Sequence, residues 1–398
     1  MTRQEIQAVI VVSLIIALRL LGIFLVIPIF SVYVINYPGA TLPLVGIAFG
    51  IYAFIQSFLH IPFGWASDRF GRKPVLLVGL FLFAAGSAIC GMAENINQLI
   101  FARSLQGSGA VSAVAMAALG DLTRPQVRAQ AFTVSGIIVG IVFIFGLVGG
   151  PLLATHFGFH NLFYMLAALG LVSILVAGFF FPESSSTEAL IQGSFQIREI
   201  IKPFEIQKLY IAVFILSFIL NVFFFIYPLS WTETGLERSH LWSVYLVVFL
   251  PIGLVVFPYI RYAEKQDRLL QAGWFGWGFM VIGILLYIFE SNQSEALYIT
   301  GGAFFLGYTV FQSLLPAFLT QRVSFRGRGA ATGLYNLASF FGASVGGMLA
   351  GILYKLNHAS PLIFSLALLI GWLFMGLPKP PNTNAESEIY RKSESKSQ

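Results

Sequence analysis

The sequence predicts an all-α, polytopic membrane protein, and three observations carry that prediction. Hydrophobic residues make up 57% of the 398 positions and mean hydropathy is +0.83, well above the roughly 45–50% apolar usage of soluble domains. Apolar stretches of about 20 residues, long enough to cross a ~30 Å hydrocarbon core, recur from end to end. Charged residues are only 10% of the chain and fall almost entirely between those stretches.

Six spans come first: Ala8 to Ile35, Leu42 to Trp65, Val75 to Ala93, Leu99 to Leu119, Ala131 to Ala154 and Leu162 to Phe181. The first is too long for a signal peptide and lacks a small-residue cleavage pattern, so it stays in the membrane. A polar break follows at Pro182 to Gln207. It holds a Ser/Thr run, then Phe195, Ile197, Ile200, Ile201 and Phe204 alternating with Arg198, Glu199, Lys202 and Glu205. That alternation suits an interfacial helix or a flexible tether. Six more spans complete the pattern: Tyr210 to Thr232, Leu241 to Tyr259, Leu270 to Phe289, Ala296 to Phe318, Ala330 to Leu353 and Leu362 to Leu377. The expected organisation is a six-span unit at 1–182, a cytoplasmic linker at 183–207, a second six-span unit at 208–378 and a disordered cytoplasmic tail at 379–398.

Orientation follows from Lys and Arg, which are retained in short cytoplasmic loops. Nineteen of the 23 fall at the two termini and in the loops of one side, from Arg3 through Arg69, Arg72, Lys73, Arg124 and Arg128 to Arg322 and Lys396. Only Arg238 and Lys355 fall on the other. Both termini are therefore expected in the cytoplasm, and the +6 net charge reflects this bias rather than nucleic-acid binding. The single cysteine, Cys90, lies inside a span, so it offers neither an internal disulfide nor a cysteine metal site.

The densest charge sits at GWASDRFGRK, Gly64 to Lys73, on the cytoplasmic turn between the second and third spans. Gly64 and Gly71 permit close helix approach and a tight turn. Asp68 can cap a helix start, and Arg69, Arg72 and Lys73 offer donors. A positive-inside anchor accounts for the basic residues but not for Asp68 or the glycines. Arg124 and Arg128 lead into a glycine-rich span, and 198 residues later Arg322 and Arg326 do the same. This is the kind of internal repeat on which many transporters are built.

Gly64, Asp68, Arg69, Gly71, Arg72 and Lys73 resemble the G-x-x-x-D-R-x-G-R-K motif of the major facilitator superfamily, in the same loop. Arg103, Gln106, Gly107 and Gly109 are similar to its R-x-x-Q-G-x-G motif. Gly146, Gly150 and Pro151 resemble the G-x-x-x-G-P core of the antiporter motif, although Ala154 and Thr155 stand where that motif usually has two glycines. Leu21, Gly22 and Pro28 resemble the first-span pattern of drug:proton antiporters. Through IPFGWASDRFGRKP, SLQGSGA and DLTRPQ, the chain resembles the bacterial YajR-type transporters, without their C-terminal soluble domain.

The resemblance implies two six-helix bundles, acting as a monomer, that rock about a central site. It also implies a conformational latch in which Arg72 meets Asp121 while Asp68 caps a helix of the opposite half. The glycines of the fifth span (Gly136, Gly140, Gly146, Gly149, Gly150) and of the eleventh (Gly333, Gly342, Gly346, Gly347, Gly351) suit close helix approach. No cofactor is expected, because the proton gradient would supply the energy. One proton crossing ~100 mV yields about 2.3 kcal/mol, and each pH unit adds about 1.36.

Inside the spans the full charges are Arg19 and Arg103, with no Asp or Glu beside them. An intramembrane ionisable group is a functional candidate by default. Arginine cannot release a proton at useful pH, so the coupling candidates are Asp121 and His60, with Arg103 and Arg19 tuning a neighbour or binding an anion. Two buried cations without an acid favour neutral or anionic amphipathic substrates. Candidate cavity residues are Phe24, Tyr52, Gln56, Asn221, Phe225, Tyr227, Gln312, Tyr335 and Asn336.

An enzyme would need a nucleophile with its base or a metal cluster, and the five histidines form no close metal-binding pair. The antiporter-like first and fifth spans favour proton-coupled export of small molecules, with proton-coupled uptake of a sugar or metabolite as the alternative. A transporter-like sensor is the remaining class.

Overall fold

The computed structural model describes residues 1–182, 198–290, 293–323 and 328–376, and every regular element among them is a helix. The first span is α1 (Arg3–Val26), a 3₁₀ turn at Ile27–Ile29 and α2 (Phe30–Val34). The α-ladder is interrupted at Pro28, which lacks an N–H and crowds the preceding turn. Thr2 caps α1 reciprocally with Glu5. Next come α3 (Leu42–Phe70) and α4 (Arg72–Met92), joined only by Gly71, whose φ of +91° favours glycine.

The fourth span, expected as one piece, is two helices, α5 (Ile96–Gly107) and α6 (Val111–Asp121), broken at 108–110. The break follows the GSG sequence, where two glycines weaken the helix. There the Gly109 carbonyl accepts from both the Val111 N–H at 2.8 Å and Arg19 Nη2 at 3.0 Å. The first half closes with α7 (Pro125–Phe157) and α8 (Phe159–Phe180).

A short α9 (Arg198–Ile201) precedes the second half. There α10 (Phe204–Glu233), α11 (Leu241–Lys265), α12 (Leu269–Glu290), α13 (Ser294–Arg322), α14 (Arg328–Leu356) and α15 (Ser360–Met375) follow in order. Ten of the described helices are long and apolar enough to cross a membrane. The α5–α6 pair and the 16-residue α15 account for the other two expected spans. The expected linker segment at 183–197 and the tail at 379–398 lie outside the described residues.

Small residues set the helix packing, as they do where lipid removes the hydrophobic drive between helices. In the first half, Gly146 and Gly150 of α7 lie against Phe24 and the Leu25 carbonyl of α1, so closely that a Cβ would overlap them. In the second, Gly342 and Gly346 of α14 lie in the same way on the Phe214 and Phe218 carbonyls of α10. Each half thus packs its fifth helix on its first through a glycine pair one turn apart. The antiporter-like residues Gly146, Gly150 and Pro151 therefore sit inside one half, not between the halves.

Candidate functional site

The charged turn closes on itself. Arg72 Nε donates to Asp121 Oδ2 at 2.8 Å, joining the start of α4 to the end of α6. Arg72 Nη1 meets Asp68 Oδ1 at 2.6 Å and Ser67 Oγ at 2.5 Å, and Ser67 Oγ donates to the Gly64 carbonyl. The Arg69 guanidinium lies over the Trp65 and Phe70 rings. Lys73 is half-buried at the first turn of α4. Asp68 is 65% exposed and caps neither α4 nor, among the described residues, a helix of the second half. A Cβ on Gly64 would touch nothing within 4 Å.

The two halves meet at the opposite end. Ser31 Oγ donates to the Phe225 carbonyl at 2.7 Å, and the Tyr245 hydroxyl donates to the Pro28 carbonyl at 2.7 Å. The Arg238 guanidinium stands 5.4 Å from the Tyr33 ring. Phe49 meets Phe225, and Phe143 meets Phe249. Between α3 and α14 the backbones touch: Gly46 and Gly50 face Ser344, Gly347 and Met348, while Gly351 faces the Leu42 carbonyl and Gly46. The eleventh-span glycines thus divide by face, Gly342 and Gly346 inward to α10, Gly347 and Gly351 outward to the other half.

Moving toward the charged turn, the contact narrows to aromatic edges. Phe54 and Phe58 meet Phe341, and the His60 ring lies 4.9 Å from that of Phe340. Beyond His60 the helices part. Trp65 and Phe70 are about 60% exposed, and a Cβ on Gly120, Gly136, Gly140 or Gly333 would touch nothing. The ion pairs described there each stay within one half: Arg72 with Asp68 and Asp121, Arg124 with Glu5, and Glu205 with Lys208 and Arg322.

Both intramembrane arginines are buried and spent on their own half. Arg19 donates to Ser112 Oγ, the Tyr52 hydroxyl and the Gly109 carbonyl. Arg103 donates to Gln106 Oε1 at 2.6 Å and the Ala48 carbonyl at 3.4 Å, and lies over the rings of Tyr52 and Phe30. Tyr52 therefore links the two cations, by its oxygen to one and by its face to the other.

The cavity candidates separate by placement. Gln312 is exposed in the middle of α13, and Phe24, Asn221 and Asn336 are half-buried. Tyr335 is buried with its hydroxyl unpartnered. Tyr52, Gln56, Phe225 and Tyr227 are buried in packing; the Tyr227 hydroxyl donates to the Leu297 carbonyl of its own half. Sequence reasoning missed Tyr308 and Ser313. The Tyr308 hydroxyl donates to Gln312 Oε1 at 3.1 Å, and Ser313 is exposed beside them. The signal was present as Tyr308, Thr309, Gln312 and Ser313, a polar stripe at helical spacing in an apolar span.

A family model described as Major Facilitator Superfamily matches residues 12–346. The chain is 33% identical over 373 residues to the Inner membrane transport protein YajR of Escherichia coli (strain K12), covering 92% of this chain and 82% of that one. It is 26% identical over 381 residues to the Multidrug resistance protein MdtH of Salmonella arizonae, covering 90% and 91%. Among solved structures, a bacterial homolog of the human lysosomal transporter Spinster, in an inward-facing and occupied conformation, aligns with a TM-score of 0.71 at 14% identity, covering 94% and 96%. The human organic anion transporter MFSD10 aligns at 0.69 and 16% identity, covering 94% and 100%.

Proposed function

The chain belongs to the major facilitator superfamily, whose members are transporters rather than enzymes, and from that premise we propose that it exports amphipathic small molecules in exchange for protons. The observation that carries the reading is the asymmetry between its ends. Helices of the two halves touch backbone to backbone at Gly50 and Gly351 and part beyond His60. If the parted end, rich in Lys and Arg, is cytoplasmic, the protein is open inward.

The charged turn then has work in the opposite state. With the cytoplasmic end closed, Asp68, now largely exposed, would reach the second half, while Arg72 and Asp121 hold α4 and α6 in place to present it. Gly64, with open space around it here, would let α3 approach another helix. Export rather than uptake is favoured by the antiporter-like α7 and by the multidrug-resistance names of relatives such as MdtH. Two buried guanidinium groups with no intramembrane acid favour neutral or anionic cargo over cations, and the Tyr308–Gln312–Ser313 face offers uncharged donors and acceptors to it.

The test is a pH-sensitive dye inside proteoliposomes carrying an inward-acid gradient. Substrate added outside should draw protons out of the lumen; substrate that instead carries protons inward would identify symport.

A further inference from the structure

His60 lies ten residues inside the end of α3, whereas His156 and His160 stand at the ends of α7 and α8, and its ring geometry fixes which nitrogen is free. Its Nδ1 lies 2.6 Å from the Gln56 carbonyl oxygen. A carbonyl only accepts, so Nδ1 carries the hydrogen and Nε2 holds the basic lone pair. That Nε2 is buried and has no hydrogen-bond partner. One turn earlier on the same face of α3, Gln56 is fully buried with both amide atoms unpartnered. Another turn earlier, Tyr52 holds Arg19, whose Nε is also buried and unpartnered.

Buried polar atoms of this kind are normally satisfied, by water when not by protein. We propose that His60 is the group that takes up and releases the coupled proton, served by water held against Gln56 and reaching toward the Tyr52–Arg19 pair. This rests on the proton-coupled reading above. In the step itself, Nε2 accepts a proton from that water while Nδ1–H keeps its bond to the Gln56 carbonyl; once the halves have rocked, Nε2 releases the proton to water open to the other side.

Position ties the proton to conformation. His60 is the last described residue of α3 in ring contact with the second half before the helices part, and it lies over Phe340. An imidazolium gains from an aromatic face where a neutral ring gains little. Any motion that separates α3 from α14 therefore changes the relative stability of the two protonation states, the differential contact that coupling requires. The charged and titratable groups on the surrounding elements are Arg19 on α1, Arg103 on α5, Asp121 on α6, Arg72 and Lys73 on α4 and Tyr335 on α14, with Tyr52, Asp68 and Arg69 on α3 itself. Asp121 is already paired with Arg72, and the arginines stay charged. Among these groups, His60 alone combines a free basic atom with ring contact across the halves.

Proteoliposome assays of His60→Gln, His60→Asn and Gln56→Leu test this, reading lumenal pH and, separately, substrate exchange with no proton gradient. Wild type should show substrate-driven proton movement. Both His60 variants should lose it by at least about tenfold yet keep substrate exchange within about threefold, since exchange needs no proton release, and their transport should no longer vary between pH 6 and pH 8. Gln56→Leu should slow proton movement while leaving exchange intact. A coupled wild type whose His60 variants remain coupled with the same pH profile overturns the assignment alone. Loss of exchange together with coupling in both His60 variants, with wild-type thermal stability, makes the residue structural and also overturns it. A wild type without substrate-driven proton movement overturns the coupled reading and, with it, this role.

Discussion

Gly351 of the second half rests directly on the backbone carbonyl of Leu42 in the first, with no room for a Cβ between them. One turn earlier Gly347 lies against Phe49 and Gly50, so the seal between the halves is a pair of backbones separated by hydrogens. Such a contact is tight, with the Phe49 and Met348 side chains filling the space beside the glycines.

Replacing Gly351 with valine should therefore force this end apart. Overpacking of a close contact costs about 1–3 kcal/mol, which is about a 5- to 150-fold shift in a two-state ratio. The sealed conformation should lose that share of its population while the fold survives. Oxidative cross-linking between cysteines at Tyr33 and Arg238, in a Cys90→Ser background, should be efficient in the parent and poor with Gly351→Val. Equal cross-linking in both would mean that the glycine contact does not hold the seal.

Asp68→Asn should act on the other state. In this conformation Asp68 makes one ion pair, with Arg72 across the Gly71 break, worth about 0.2–1 kcal/mol, so thermal stability should move by no more than about 4 °C. Transport should nonetheless fall severalfold or more, because the closed form of the charged end would lose the proposed latch. Unchanged transport with an unchanged balance of states would remove the latch from the account.

Arg19→Lys tests whether this charge is a structural pin. Lysine keeps the positive charge but cannot reproduce the planar fork that reaches Ser112, Tyr52 and the Gly109 carbonyl together. Each buried group left unpaired costs about 1–3 kcal/mol. The variant should melt several degrees lower while its proton-to-substrate ratio stays that of wild type.

Arg103→Met tests cargo charge. A cation about 10 Å from Arg103 at an effective dielectric near 20 is disfavoured by about 1.7 kcal/mol, roughly 15-fold. Removing the charge should raise transport of cationic amphipaths relative to neutral ones by up to that factor, and lower that of anionic ones likewise. No change in the ratio would make Arg103 electrostatically silent toward cargo.

What the sequence disclosed followed from cost. The meeting of Arg72 with Asp121 was implied by the family resemblance alone, but charge is expensive in an apolar chain, so the turn at Asp68–Lys73 stood out before any coordinates. So did the span pattern, apart from the breaks at Pro28 and at 108–110. Facing was hidden. Helices α3 and α10 are apolar all round, so nothing in their periodicity distinguishes the buried Tyr227 and Phe225 from the half-buried Asn221. Nor could the sequence reveal which end is sealed, since one set of residues must serve both states. The glycines at 46, 50, 347 and 351 were visible only as small residues; their opposition across the halves required the fold.

The most direct test of alternating closure is a pair of spin-label distances in the cysteine-free background. One spans the charged end, from Gln126 to Gln266; the other spans the sealed end, from Thr155 to Glu237. The two distances should change in opposite senses when substrate or proton gradient is varied, and Asp68→Asn should hold the protein with the first long and the second short. Distances that stay fixed, or that lengthen and shorten together, would contradict the account.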